Sequence, residues 1–275
     1  MLKKNLYYFL FISGVSIGLS QEQTVGLFLN TADAAPGYTL FAPMSYNVTY
    51  LIDNNGELVQ SWFSDFRPGL SVYILENGDL LRTRRLQGQF FQTGGRGGGV
   101  EIIDWDGELV WEFDYFGDQY WQHHDIESLP NGNVLLIAWE LKTDTEAIEN
   151  GRNPNLLGGN LQPSGFWPDH IIEVNPESDS IVWEWHVWDH LIQDYDSSKA
   201  NYGVVSNHPE LVNINYPSDP PNSSGDWLHI NAIDYNVELD QVLLSVHHFG
   251  EIWIIDHSTN TGESASHTGG NSGKG

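Results

Sequence analysis

Leu51-Ile52-Asp53-Asn54-Asn55-Gly56-Glu57-Leu58-Val59-Gln60-Ser61-Trp62 is an apolar run, an Asx-rich turn ending in glycine, and a second apolar run ending on tryptophan. This order predicts a β-hairpin, because Asn-Gly accepts the positive φ angles that a tight turn between paired strands requires. The order recurs at Ile102-Ile103-Asp104-Trp105-Asp106-Gly107-Glu108-Leu109-Val110-Trp111-Glu112-Phe113, and with a longer turn from Ile171 to Trp185. A fourth copy opens at Glu251-Ile252-Trp253-Ile254-Ile255-Asp256.

A second hairpin type lies between these copies. Ser71 to Leu81, with its Glu76-Asn77-Gly78-Asp79 turn, matches Asp125 to Leu136, with Pro130-Asn131-Gly132-Asn133; a looser copy runs from Asn231 to Leu244. Two hairpins per unit make four antiparallel strands per unit, and such units in tandem are the blades of a β-propeller. The predicted fold is therefore all-β, a propeller of about four partial blades. The excess length between later copies falls in Lys142–Pro168 and Gln193–Asp226. Both stretches are rich in Asn, Asp, Ser, Gly and Pro and read as loops, and loops on a rigid scaffold tend to carry function. No long amphipathic helix is expected. From Ser266 to Gly275 no apolar residue remains, which predicts either a flexible tail or, preferred, a chain whose further blades lie beyond it.

The start of the chain has a separate purpose. Lys3 and Lys4 precede an apolar stretch from Leu6 to Leu19, and small residues lead up to Gln21. That is the order of a secretory signal peptide over 1–20, leaving a propeller domain over 21–275. The apolar stretch is short for a bilayer span, so a membrane anchor is the lesser reading. The mature protein is expected outside the cytoplasm, in the periplasm or secreted. It has no cysteine, so core packing alone must hold it, and cysteine metal sites and cysteine nucleophiles are excluded. Removing the leader takes two lysines and no acids, moving the net charge from −26 to −28. Nucleic acid and anionic membranes are poor partners for such a surface. An anionic substrate needs local donors to offset the field. Oligomeric state is left open. Two glycosylation sequons, Asn47-Val48-Thr49 and Asn222-Ser223-Ser224, read as incidental.

Three histidine clusters stand out. Trp121-Gln122-His123-His124-Asp125 opens one inner hairpin, Asp226-Trp227-Leu228-His229-Ile230-Asn231 opens the matching one, and Leu244-Ser245-Val246-His247-His248-Phe249 closes that hairpin. His124 and His229 hold nearly equivalent repeat positions, so propeller symmetry would bring them to one opening. Clustered imidazoles can bind a metal, move protons or stabilise an anion. Each histidine alone could equally cap a strand end. The remaining ones, His170, His186, His190, His208, His257 and His267, are expected in packing or surface roles. Gly94-Gly95-Arg96-Gly97-Gly98-Gly99 precedes a strand and lacks a Gly-Lys-Ser/Thr ending, so it reads as an inter-blade connection and not a phosphate loop.

The hairpin from Asp226 to Ile233, the Leu243-Leu244-Ser245 strand and Glu251 to Thr259 resemble the arylsulfotransferase family, as do the His123-His124-Asp125 hairpin and the closing His267 to Gly275. The resemblance is strongest from about Asp226 to Gly275 and continues more weakly back to Leu51. It implies a six-bladed propeller and sulfuryl transfer from a phenolic sulfate ester to a phenolic acceptor. The transfer would be ping-pong through a sulfohistidine, with no nucleotide donor and no cofactor or metal. It assigns catalytic roles to His124, His229 and His247, and substrate contacts to His123, Asn231 and His248. His247 stands where the family places an arginine, a weaker charge without a guanidinium fork. The family's nucleophilic histidine lies in a later blade without a counterpart before Gly275, so this chain alone is expected not to turn over. Two other readings stay open: a non-catalytic exported propeller that binds a glycan or protein, and a metal-dependent hydrolase using His124, Asp125 and His229.

Overall fold

The computed structural model describes residues 26–157, 164–216 and 225–274. The predicted leader at 1–20 and the sequon at Asn222 lie outside the described residues. The chain is all-β, built from four consecutive antiparallel sheets. The first holds β1 (Tyr38–Phe41), β2 (Val48–Asp53) and β3 (Leu58–Phe63). The second holds β4 (Pro68–Ile74), β5 (Leu80–Arg85), β6 (Gly98–Ile103) and β7 (Leu109–Asp114). The third holds β8 (Tyr120–Ser128), β9 (Val134–Glu140), β10 (Asp169–Asn175) and β11 (Ser180–His186). Next, β12 (Leu191–Ile192) and β13 (Val212–Asn213) form a short parallel pair, before a fourth sheet of β14 (Ile230–Asn236), β15 (Gln241–Val246) and β16 (Glu251–Asp256). Each large sheet meanders, every strand pairing with the next in sequence. The first strands of the last three sheets, β4, β8 and β14, pack side by side.

The repeated hairpins fold as read. The copies at Leu51, Ile102 and Ile171 are β2–β3, β6–β7 and β10–β11, and the inner hairpins are β4–β5, β8–β9 and β14–β15. The Asx residues close the turns: Asp53 Oδ1 accepts from the Asn55 and Glu57 amides, and Asp104 Oδ1 from the Glu108 amide. Gly56 and Gly107 take φ of 76° and 93°, the left-handed backbone those turns demand.

Period-two alternation divides the strands between cores. In β9, Val134 and Leu136 join the core against the second sheet, while Leu135 and Ile137 join the core against the fourth. A strand buried on both faces reads as continuous apolar sequence, as Val134-Leu135-Leu136-Ile137-Ala138-Trp139 does. The repeat tryptophans join consecutive sheets. Trp62 Nε1 donates to Asp104 O (2.9 Å), Trp111 Nε1 to Asp179 Oδ1 (2.8 Å) and Trp183 Nε1 to Thr259 Oγ1 (3.2 Å). Each indole buries a large apolar surface and places its one donor on the turn region of the next sheet.

Helices are short, with α1 (Asp144–Glu149) inside the predicted Lys142–Pro168 loop and α2 (Thr261–Ser264) after β16. No helix among the described residues is long and apolar enough to cross a membrane. The glycine-rich stretch is placed differently from expectation. It joins β5 to β6 inside the second sheet, and Gly98 and Gly99 already belong to β6. The C-terminal segment folds back on the fourth sheet, where the Ser272 amide donates to Asp256 Oδ2 (2.6 Å) and the Asn271 amide to Ser258 Oγ (2.6 Å).

Candidate active site

Two histidines leave the ordinary backbone. His124 has φ of 50° and His229 of 53°. His124 stands in a register shift midway along β8, between Gln122 and Ile126, and His229 just before β14, next to the shift between Ile230 and Ala232. A bulge breaks the alternation of side chains and re-aims the residue it contains. Left-handed backbone at a non-glycine residue costs on the order of 1 kcal/mol and must be held by its surroundings. The His124 amide donates to Gly95 O (2.7 Å), and the His247 amide donates to His229 O (3.3 Å). The two rings meet with centroids 4.5 Å apart, nearly perpendicular. Gly95 is the seat of one of them: a Cβ there would lie 1.9 Å from His124 Cε1.

A buried carboxylate stands behind each ring. His229 Nδ1 donates to Asp226 Oδ2 (2.6 Å), and Trp139 Nε1 donates to Asp226 Oδ1 (3.0 Å). Burial works against a charge on His229, but the hydrogen bond and negative charge of Asp226 outweigh it, and the pKa rises above the ordinary histidine value. Burial likewise opposes ionisation of Asp226, and His229 overcomes this, holding the carboxyl below its usual range. Each of His229 and Asp226 thus favours the charged form of the other, and the histidine reaches the surface.

The second set contrasts with it. Asp169, the first residue of β10, lies 2.7 Å from His123 Nε2, and His123 Nδ1 lies 2.9 Å from His124 Nδ1. His123 stacks flat on Trp139 at 3.8 Å and is wholly buried. Burial pushes His123 well below and Asp169 well above its ordinary value. Burial, then the neighbouring His123, lowers His124 to about 2. Trp139 connects the two sets, stacking on one histidine and hydrogen-bonding the carboxylate of the other.

His247 and His248 complete the cluster, their ring centroids 5.4 and 4.8 Å from that of His229. His248 Nδ1 donates to Asp226 O (3.2 Å) and its ring is half-buried, while His247 is exposed. Of the residues singled out from sequence, His124, His229, His247 and His248 therefore come together. His123 joins them from behind, too deep to touch a ligand, and Asn231 sits half-buried in the β14 bulge. Asp125 points elsewhere. Its Oδ1 accepts from Tyr73 Oη (2.6 Å) and the Ile126 amide (3.0 Å), and its Oδ2 from the Ile233 amide (3.3 Å), tying β4, β8 and β14 together. Among the described residues no group of three or more His, Cys, Asp or Glu side chains could hold a metal ion. Sequence reading did not single out Asp169 or Trp139. Each comes from a strand end in the third sheet, and they are cross-strand partners in the β9–β10 register.

The family model described as Arylsulfotransferase (ASST) matches residues 30–263, which spans all four sheets and every histidine of the cluster. The chain belongs to the arylsulfotransferase family. No curated protein matches it. Among solved structures, a protein of unknown function from Bacteroides caccae aligns with 80% of this chain at 13% identity and a TM-score of 0.42; the chain covers 54% of that protein.

For a member of the arylsulfotransferase family the division between the two rings matters. The −26 chain repels any anion at long range. Asp226 favours a local positive charge on His229. His124 supplies a neutral ring whose Nε2 has no hydrogen-bond partner among the described residues. Two imidazoles 4.5 Å apart, one with a raised and one with a lowered pKa, can together stabilise an anion and exchange a proton.

Proposed function

We propose that this protein serves nucleotide-independent sulfuryl transfer from a phenolic sulfate ester to a phenolic acceptor through a sulfohistidine. Family membership supports sulfuryl transfer. The observation that carries the assignment to this site is the convergence of His124 and His229 from equivalent positions in two sheets, each backed by a buried carboxylate set. In this reading His229 and His247 donate to the sulfuryl oxygens. His124 Nε2 faces the bridging oxygen, His248 and Asn231 line the approach, and the nucleophilic histidine is the one the resemblance places in a later blade. The sheets are the blades of a propeller; the side-by-side packing of β4, β8 and β14 supports this. The exposed Ile252 and Ile254 on β16 are the face against which a further blade would pack. The chain works outside the cytoplasm once residues 1–20 are removed.

Titration of the 275-residue chain with 4-nitrophenyl sulfate, followed by calorimetry, tests the site without requiring turnover. Binding is expected, and His229→Ala should weaken it by about tenfold or more, the loss of one charge-assisted hydrogen bond to the sulfuryl group. Equal affinity in both proteins would overturn the assignment.

A further inference from the structure

Asp169, His123 and His124 stand in a line with two gaps, 2.7 Å from Asp169 Oδ1 to His123 Nε2 and 2.9 Å from His123 Nδ1 to His124 Nδ1. Each gap is a hydrogen-bond distance and so holds one proton, because facing lone pairs repel strongly in a buried setting. Burial disfavours an imidazolium in the middle of the line. Two neutral-imidazole arrangements then satisfy both gaps. In one, protonated Asp169 donates to His123 Nε2, His123 Nδ1–H donates to His124 Nδ1, and His124 carries its hydrogen on Nε2. In the other, ionised Asp169 accepts from His123 Nε2–H, His123 Nδ1 accepts from His124 Nδ1–H, and His124 Nε2 presents a lone pair.

We propose that this line is a proton relay, in which Asp169 stores the proton that His124 gives to a departing phenolate and recovers from the acceptor phenol. The proposal rests on the reading that the aryl ester binds beside His124. As the aryl O–S bond breaks and the sulfuryl group passes to the nucleophilic histidine, the His124 Nε2–H bond breaks and a phenol O–H bond forms. The His123 Nδ1 proton crosses to His124 Nδ1, and the Asp169 proton crosses to His123 Nε2. One proton has left at Nε2 and one negative charge has appeared on Asp169. The acceptor phenol returns a proton at Nε2 as its oxygen attacks sulfur, and the same three transfers run backward. His124 thereby works as acid and base without becoming an imidazolium, the form its burial forbids. His123 and Asp169 act through His124 and are positioning residues.

Other groups set the resting state. Asp226, His229 and Glu140 face Asp169 electrostatically, and the Ile230 amide donates to its Oδ2 (3.3 Å). His229, Asp226 and His247 face His124. Burial and then the Asp226 charge raise the Asp169 pKa, which favours the first arrangement at rest.

Nitrogen NMR of the full chain labelled with 15N-histidine, titrated from about pH 5 to about pH 10, reads the tautomers directly. His123 should pass from Nδ1–H to Nε2–H while His124 passes from Nε2–H to Nδ1–H, at one shared midpoint, with neither ring taking imidazolium shifts. Separate midpoints, a fixed tautomer on one ring, or an imidazolium on either would overturn the relay. In Asp169→Asn both switches should vanish while the His257 signals stay in place, and a surviving switch would remove Asp169 from the relay. Should that variant fail to fold, the wild-type titration decides alone. Coupled switching without binding of 4-nitrophenyl sulfate would leave the relay standing and sink the sulfuryl-transfer reading. Binding without coupled switching would do the reverse.

Discussion

His229 precedes β14 and His257 follows β16, and both are held by carboxylates, yet their ring nitrogens are used differently. His257 spends both ring nitrogens, Nε2 on Glu173 Oε2 (3.0 Å) and Nδ1 on Asp240 Oδ1 (2.7 Å), and so fastens the fourth sheet to β10 of the third. His229 spends only Nδ1, on Asp226, and its Nε2 has no hydrogen-bond partner among the described residues. Burial opposes charge on both rings, and in both the carboxylates win, so the pKa rises in each case. A raised histidine pKa therefore does not mark a reactive group here. What separates the two rings is the spare nitrogen of His229 and the left-handed backbone that it shares with His124.

Asp226→Asn should break the comparison most sharply. Without the carboxylate charge, burial acts on His229 with only the weaker influence of Asp169 against it, and its pKa should fall, as read by NMR. Binding of 4-nitrophenyl sulfate should then weaken by about ten- to a hundredfold near neutral pH. An unchanged His229 titration would show that Asp226 does not sustain its charge. His257→Gln should do the opposite. Chemical denaturation should report a loss of about 1–3 kcal/mol from the broken inter-sheet network, with aryl sulfate affinity unchanged. A variant that lost affinity in proportion to stability would erase the distinction between strut and reagent.

The smallest effect is one of sign. The folded-state pKa of His257 is raised, so its stabilisation is fully present below the unfolded value of about 6.5 and is lost as pH rises through the folded value. Glu173 runs the other way: burial opposes its ionisation, but the His257 hydrogen bond holds its pKa below the usual range. Its contribution is present above the unfolded value of about 4.3 and is lost at lower pH. The stability penalty of His257→Gln should therefore be larger near pH 6 than near pH 9. Denaturation midpoints of both proteins at the two pH values check it, and a penalty that grew with pH would reverse the assignment.

Much of the fold was legible because it is written in short stretches. Asn-Gly and Asp-Gly turns between period-two strands located the hairpins at Leu51, Ser71, Ile102 and Asp125 directly, and repeat equivalence alone paired His124 with His229. The glycine-rich stretch misled, because its composition says only that side chains are absent. The structure shows what fills the space: the His124 ring against Gly95 and the Gln122 side chain against Gly97. Loops were read without internal structure, yet Thr143 and Glu146 form a reciprocal capping box that starts α1 within one of them. The sequence predicts packing or surface roles for His170 and His186. They stack 4.7 Å apart, with His186 joined to Glu140 and Glu184.

The sequence by itself determined the hairpins, their order and the two histidines at matching repeat positions, because these depend on residues within a few positions of one another. Tertiary structure decided which groups stand behind those histidines. Asp169 and Trp139 come from strand ends with no repeat signature; strand pairing within the third sheet brings them to His123, and the packing of that sheet against the segment before β14 brings Trp139 to Asp226. It also decided which nitrogen of each ring is spent and which is left. That depends on hydrogen bonds spanning dozens of residues, and local sequence does not encode them.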